Sequence, residues 1–143
     1  MTNKNDKFWE KFDSRKAVKI TPTEHQIQAA FFDWVARQRI PGIELMHATP
    51  NGGKRTSSYG GKLKAEGMRR GVPDVSWPVS RGAYVGLAIE FKSDGANPTK
   101  EQRERIDALQ KAGWCVVLCW SWEAAAKIVQ GYAGMLRVDY AMA

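Results

Sequence analysis

Residues 71–77 read Gly-Val-Pro-Asp-Val-Ser-Trp, and residues 84–92 read Tyr-Val-Gly-Leu-Ala-Ile-Glu-Phe-Lys. The second stretch is a strand by composition, with an apolar centre at Leu87, Ala88 and Ile89. Strand side chains alternate faces, so Glu90 and Lys92 project to the same side. Two charges at the end of an apolar strand are costly to bury unless they are paired or bound to an ion. Gly71-Val72-Pro73 is a turn, and Asp74 opens a second strand through Trp77. If the strands are neighbours, the Asp74 carboxylate approaches Glu90. Two adjacent carboxylates repel each other, and a hard divalent cation relieves the repulsion. Mg²⁺ suits such a place, because it takes few carboxylates, keeps waters and accepts phosphate oxygen.

The flanking sequence supplies the rest of the sheet and its cover. Thr21-Pro22-Thr23-Glu24 reads as a capping box opening a first helix, with Glu24 as its third residue. Ile27, Phe31 and Val35 recur on one face, and Pro41-Gly42 ends the helix. Residues 43–48 alternate like a strand. Residues 49–60 are rich in Gly, Ser and Asn and form a loop, and residues 61–68 make a short helix. Ser93 to Pro98 is a loop. A helix follows from about Thr99 to Ala112 and stops at Gly113. Trp114 to Trp120 is a nearly continuous apolar run, which predicts a buried strand. Ser121 caps a last helix through about Gln130. The order predicts an α/β fold with a mixed central sheet flanked by helices.

A chain of 143 residues suits one compact domain. Its expected extent is 21–130. The arm before it (1–20) is either disordered or docked through one helical turn of Phe8, Trp9 and Phe12. Residues 131–143 are a tail that belongs either to the domain or to an interface. No apolar run approaches the ~20 residues of a membrane span, and the polar N-terminus lacks a secretory signal. The expected location is therefore the cytoplasm. Cys115 and Cys119 stand four apart in one strand, roughly 13 Å from each other, which is too far for a disulfide. Both are expected in the core.

The net charge is +7 and the pI about 9.6. A small basic protein of this kind fits a polyanionic partner. The excess is concentrated: residues 53–70 carry Lys54, Arg55, Lys62, Lys64, Arg69 and Arg70 against Glu66 alone. These six are the candidates for phosphate contact. Such contacts would position DNA without reading its bases. Lys54 and Arg55 follow a Gly-rich turn, which is equally compatible with a plain loop tip. His47 is read as structural. Trp114, Trp120 and Trp122 are read as core or subunit interface, with base stacking a weaker alternative.

Glu90-x-Lys92 by itself is a common triplet, compatible with a surface ion pair worth under ~1 kcal/mol. The Pro73-Asp74 pair upstream shifts the reading toward phosphodiester hydrolysis, in which a metal activates water and Lys92 stabilises charge on the phosphate. Two polar side chains carry a double reading. Glu24 shares a stripe with Ile27, Phe31 and Val35, so it is either a cap or a site residue. Gln102 completes a Thr99-x-x-Gln102 capping box, yet it shares a face with Ile106 and Leu109, which points toward the sheet.

Gly71-Val72-Pro73-Asp74, the Glu90-Phe91-Lys92 strand and the helix bearing Gln102 resemble the PD-(D/E)XK nuclease superfamily. Within it, the chain resembles the VRR-NUC (virus-type replication–repair nuclease) family over roughly residues 21–130. Glu24, the Pro50-Asn51-Gly52-Gly53-Lys54-Arg55 segment and Pro98-Thr99-Lys100-Glu101-Gln102 fit the same resemblance. It implies a restriction-endonuclease-like core. It also implies a metal site built from Glu24, Asp74, Glu90 and the backbone carbonyl of Phe91, with Lys92 and Gln102 as catalytic support. The cofactor implied is Mg²⁺, with Mn²⁺ able to substitute. The activity implied is that of a homodimeric endonuclease on branched DNA such as four-way junctions, in DNA repair or recombination. The alternatives are a non-catalytic DNA-binding module on the same fold, or a basic scaffold protein.

Overall fold

A computed structural model of the chain describes residues 21–50 and 57–136. The described elements run α1 (Glu24–Val35), a 3₁₀ turn (Ile43–Leu45), β1 (His47–Ala48), α2 (Ser57–Ala65), β2 (Val75–Trp77), β3 (Leu87–Phe91), α3 (Lys100–Lys111), β4 (Cys115–Cys119) and α4 (Trp122–Ala133). The arm 1–20, the segment 51–56 with Lys54 and Arg55, and residues 137–143 lie outside the described residues.

The sheet order is β1-β2-β3-β4. The first two pairings are antiparallel and β3–β4 is parallel, with α3 as the crossover. The α/β expectation with a mixed sheet therefore holds. The odd-numbered residues of β3 and β4 face α1 and α4. On that side Ile27, Phe31 and Val35 of α1 meet Ile89 and Phe91, and Val129 and Tyr132 of α4 close the core. The Phe31 and Phe91 rings stand 5.4 Å apart, and Trp77 and Tyr132 stand 5.6 Å apart. The polar ends of this core are satisfied. Trp77 Nε1 donates to the Gly42 carbonyl at 2.7 Å, and the Tyr132 hydroxyl donates to the Val79 carbonyl at 2.6 Å. No helix among the described residues is long and apolar enough to cross a membrane.

Several boundaries differ from the sequence expectation, each for a physical reason. The first helix starts at Glu24, and Thr23 is its N-cap. Thr23 Oγ1 accepts from the Gln26 N–H at 3.2 Å, while Gln26 Oε1 accepts from the Thr23 N–H at 2.9 Å. Glu24 is thus the first helical residue and takes no part in the box. The helix ends at Val35, well before Pro41-Gly42. The next positions of the apolar stripe would be Gln38 and Arg39, which cannot extend it. Arg37 Nε and Gln38 Nε2 instead donate to the carbonyls of Asp33 and Trp34.

Residues 43–48 are only partly a strand. Ile43 and Met46 are buried while Leu45 is exposed, a spacing of three that fits the 3₁₀ turn rather than alternation. The short helix begins at Ser57, inside the expected loop, because Gly60 and Gly61 are accommodated within it. The strand around Glu90 is shorter than Tyr84–Lys92. Tyr84 pairs with Arg81 in a tight turn instead. β4 is an edge strand, half-buried along most of its length, rather than fully buried; Cys119 is buried but Cys115 only partly so. Trp114 covers Gly86 so closely that a Cβ there would sit 2.4 Å from the indole. The last helix runs to Ala133, so Tyr132, read as tail, belongs to the core.

Candidate active site

The site lies at the C-terminal end of β3, between the N-termini of α1 and α3. Glu90 and Lys92 are the two buried charged residues among those described, at 2% and 5% exposure. Lys92 Nζ is 3.3 Å from Glu90 Oε1. Burying these charges is tolerable because each has partners.

Asp74 arrives from β2. Continuing the β2–β3 register, in which Val75 faces Ile89, by one residue sets Asp74 across from Glu90. Its Oδ2 accepts the Phe91 N–H at 2.7 Å. A carboxylate thus replaces the main-chain acceptor where the β2–β3 ladder ends, which fixes Asp74 against the last turn of the site strand. On the other side of Asp74, its carbonyl accepts from the Thr49 N–H at 2.8 Å. Thr49, directly after β1, is thereby held against the Asp74 backbone.

Gln102 comes from α3 and does both things its sequence allowed. Thr99 and Gln102 form a reciprocal capping box, with Gln102 Oε1 accepting from the Thr99 N–H at 2.9 Å. Its other amide atom, Nε2, donates to Glu90 Oε1. Cap and site contact use opposite ends of one side chain. Gly71 holds this arrangement from behind. Its φ is +75°, and a Cβ there would lie 2.5 Å from the Glu101 carbonyl oxygen and 2.9 Å from the Gln102 nitrogen. Only glycine lets the Gly71-Val72-Pro73-Asp74 turn lie directly on the first turn of α3.

Glu24 stands on the opposite flank. Its Oε1 accepts from the Ser93 N–H at 3.4 Å and lies 3.9 Å from Lys92 Nζ. The side chain is about half exposed, so it sits at the rim rather than in the interior. The structure therefore brings Asp74, Glu90, Lys92 and Gln102 together directly, and joins Glu24 to them through Lys92 and Ser93. Among the described residues, no three carboxylate, histidine or cysteine side chains gather into a group that could hold a metal ion.

The electrostatics follow from the geometry. Burial, and then the neighbouring Asp74 carboxylate, push the Glu90 carboxyl up from 4.5 to about 7, against the opposing pull of Lys92. Glu90 is thus poised between its protonated and ionised forms near neutrality, and anything positive placed between it and Asp74 would favour the ionised one. Burial also pushes the Cys119 thiol up to about 11, which keeps it protonated and inert.

The basic residues fall in two groups. Lys62 and Lys64 project from α2 into solvent, Lys62 at 4.0 Å from Glu66. Arg69 and Arg70 are exposed in the turn just before Gly71, which rests on α3. His47 is exposed on β1, with Nδ1 at 3.0 Å from the Leu45 carbonyl, a local structural contact. Sequence reasoning missed two contributors. The close approach of Gly71 to α3 was readable only as a turn, because glycine names a backbone freedom but not the surface it faces. The Ser93 N–H, a backbone donor, has no sequence signal.

A family model described as the VRR-NUC domain matches residues 13–122. A solved structure of a VRR-NUC domain protein is 33% identical in sequence and superposes with a TM-score of 0.68. The match covers 78% of this chain and 88% of that one. A search of curated proteins found no match.

Proposed function

The chain belongs to the VRR-NUC family of nucleases, and on that premise we propose that it is a Mg²⁺-dependent endonuclease cutting branched DNA, such as four-way junctions, as a homodimer. The observation that carries this reading is the buried Glu90–Lys92 pair, with Asp74 set across from Glu90 and Gln102 bonded to it.

The donor set suits a hard cation. Asp74 and Glu90 are two oxygen donors, the Glu90 carboxyl being raised first by burial and then by Asp74, and the Phe91 carbonyl lies in the backbone between Glu90 and Lys92. These three, with Glu24 at the rim, would hold the ion. When bound, Mg²⁺ would supply Lewis-acid polarisation of the phosphate and a bound water of lowered pKa. The chain's own residues do the remaining work. Lys92, anchored by Glu90 and Glu24, presents a fixed positive charge to the phosphate as negative charge builds in the transition state. Gln102 holds the Glu90 carboxylate in one rotamer through its amide N–H. Asp74 is locked by the Phe91 N–H and needs no reorganisation to take part.

Lys54, Arg55, Lys62, Lys64, Arg69 and Arg70 are the proposed phosphate contacts, positioning DNA without reading sequence. Neutralising Lys64, Arg69 and Arg70 together should weaken binding and flatten its salt dependence, by about one unit of log-log slope for each phosphate-binding side chain removed. An unchanged slope would place the DNA on another face. Two-fold symmetry would supply paired cuts, since the described residues of one chain offer one such site. The setting is the cytoplasm of a bacterial or phage-infected cell, in repair or recombination.

The test is a cleavage panel of single-stranded, duplex, flap and four-way DNA in Mg²⁺, Mn²⁺ (expected to substitute) or EDTA, with ends mapped and mass measured by light scattering. Metal-dependent cutting of branched substrates by a dimer is expected. Binding without cutting in any metal would leave the non-catalytic branched-DNA module, a reading that the presence of Asp74, Glu90 and Lys92 together argues against.

A further inference from the structure

Trp120 directly follows β4. The β3–β4 ladder places Phe91 opposite Cys119, and the Lys92 N–H donates to the Cys119 carbonyl at 2.9 Å. Trp120 therefore leaves the sheet beside Lys92, at an inter-strand spacing of roughly 4.8 Å. Its indole N–H donates to the Ala96 carbonyl at 3.1 Å. Ala96 belongs to the loop between Lys92 and Gln102, so the ring lies against the segment that joins the two.

The other described tryptophans are covered. Trp77 is fully buried, Trp34 and Trp122 pack on the core, and Trp114 lies over Gly86. Trp120 is 44% exposed and stacks on no other aromatic ring among the described residues. Its edge is tethered by the hydrogen bond while much of its apolar surface remains in water. A strand-end position could have been filled by a small polar residue, so core packing does not account for an indole here.

We propose that Trp120 is a stacking platform for a nucleobase flanking the scissile phosphate. The proposal rests on the reading of this chain as a DNA nuclease and narrows its substrate class. Stacking on an aromatic face tolerates any base, because every base has a π-face. A base inside a continuous duplex has both faces covered by its neighbours. It can reach Trp120 only where the stack is interrupted, at a branch point, a flap or a frayed end. The platform thus selects open DNA by shape and stacking, without a base code.

The test uses the full chain in Mg²⁺ and a four-way junction whose cut position has been mapped, with and without an abasic sugar at the nucleotide next to the cut. Trp120→Leu is expected to raise KM about tenfold with little change in kcat, in line with the loss of one base stack. Trp120→Phe, which keeps a ring but loses the N–H, is expected to stay within about threefold of the parent on the same scale. The abasic substrate should cost the parent a similar factor to Trp120→Leu and cost that variant nothing more. Equal losses in the Phe and Leu variants would show that the Ala96 bond, not stacking, is what matters, and would overturn the proposal. So would additive losses from the abasic sugar and Trp120→Leu. A parent chain that neither binds nor cuts any DNA would remove the nuclease reading itself. A parent that cuts normally while both changes are silent would remove only the platform.

Discussion

Two helices enter the site by their N-termini, and both begin with the same four-residue device. α1 opens on Thr23-x-x-Gln26 and α3 on Thr99-x-x-Gln102, and in each case Thr and Gln satisfy one another's backbone N–H groups. The outcomes differ. In α1 the box is self-contained, and the residue that reaches the site is its neighbour Glu24, through Ser93 and Lys92. In α3 the box glutamine itself reaches in, bonding Glu90 with the amide end that the cap leaves free. The cap therefore settles where each helix starts, and the tertiary approach of the helix settles which of its first residues meets the sheet. For α3 that approach is set by Gly71 against the Glu101 carbonyl.

The greatest change should follow from removing what both helices converge on. Glu90→Ala and Lys92→Ala are each expected to reduce cleavage by about a thousandfold or more, with DNA binding largely retained, because in the proposed mechanism Glu90 would hold the ion and Lys92 would stabilise charge on the phosphate. Single-turnover cleavage alongside a gel-shift titration checks this. Near-parental cutting by either variant would remove these residues from the chemistry, and both helix N-termini would then flank a structural ion pair.

A second effect is thermodynamic and comes from the raised Glu90 carboxyl. Below about pH 4.5 it is protonated in folded and unfolded chains alike and contributes nothing. As the pH rises from 4.5 to about 7, the unfolded chain releases this proton while the folded chain keeps it, so folding stability falls through that window. Above about 7 the penalty is constant, at roughly 3 kcal/mol as an upper figure. Parent and Glu90→Gln melting curves from pH 4 to 8 isolate this group. The melting temperature of the parent, relative to the variant, should drop by on the order of 5–10 °C across the window. Mg²⁺ should restore part of it at pH 8 and none at pH 4. A difference that is flat with pH would mean that Glu90 ionises normally, and the case for a cation beside it would weaken.

The site strand and its partners are legible in the sequence because their signals are local. Glu90 and Lys92 sit two apart in an apolar run, Asp74 opens the next strand, and Thr99-x-x-Gln102 is a cap in any context. The features that escape such a reading depend on competition between near-equal local choices. Thr21 and Thr23 both precede the first apolar turn, and only the reciprocal bond with Gln26 decides between them. The Ile43–Ala48 run alternates in polarity, yet burial at every third residue around the Gly42 turn prevails over it. Strand β4 is as apolar as a central strand but occupies an edge, and its position follows from the crossover rather than from its own composition. The placement of Trp120 beside Lys92 needs the β3–β4 register, which no spacing in the sequence encodes.

The two boxes can also be set against each other directly. Gln26→Ala and Gln102→Ala each remove the same capping partner, so each should destabilise the fold by about 1 kcal/mol. Only Gln102→Ala should also lower kcat, by about tenfold, because Glu90 then loses its amide donor. Chemical denaturation and steady-state cleavage measured on the same samples separate the two effects. Equal activity in both variants would reduce Gln102 to a cap.

The mildest consequence belongs to the α1 side. Glu24 is half exposed and its oxygen is 3.9 Å from Lys92, so as an ion pair it is worth under about 1 kcal/mol. Glu24→Gln should therefore leave folding stability within about 0.5 kcal/mol. If Glu24 is also the outer ligand of the proposed Mg²⁺ site, the same variant should need about fivefold more Mg²⁺ to reach half its maximal rate, with the maximum itself close to parental, since loss of one of several oxygen donors weakens the ion more than it alters the chemistry. A Mg²⁺ titration of cleavage reads this directly. An unchanged midpoint would leave Glu24 as the partner of Lys92 alone, and the two capped helices would then contribute unequally: α3 a residue bonded to the reactive carboxylate, α1 only a charge that steadies the lysine.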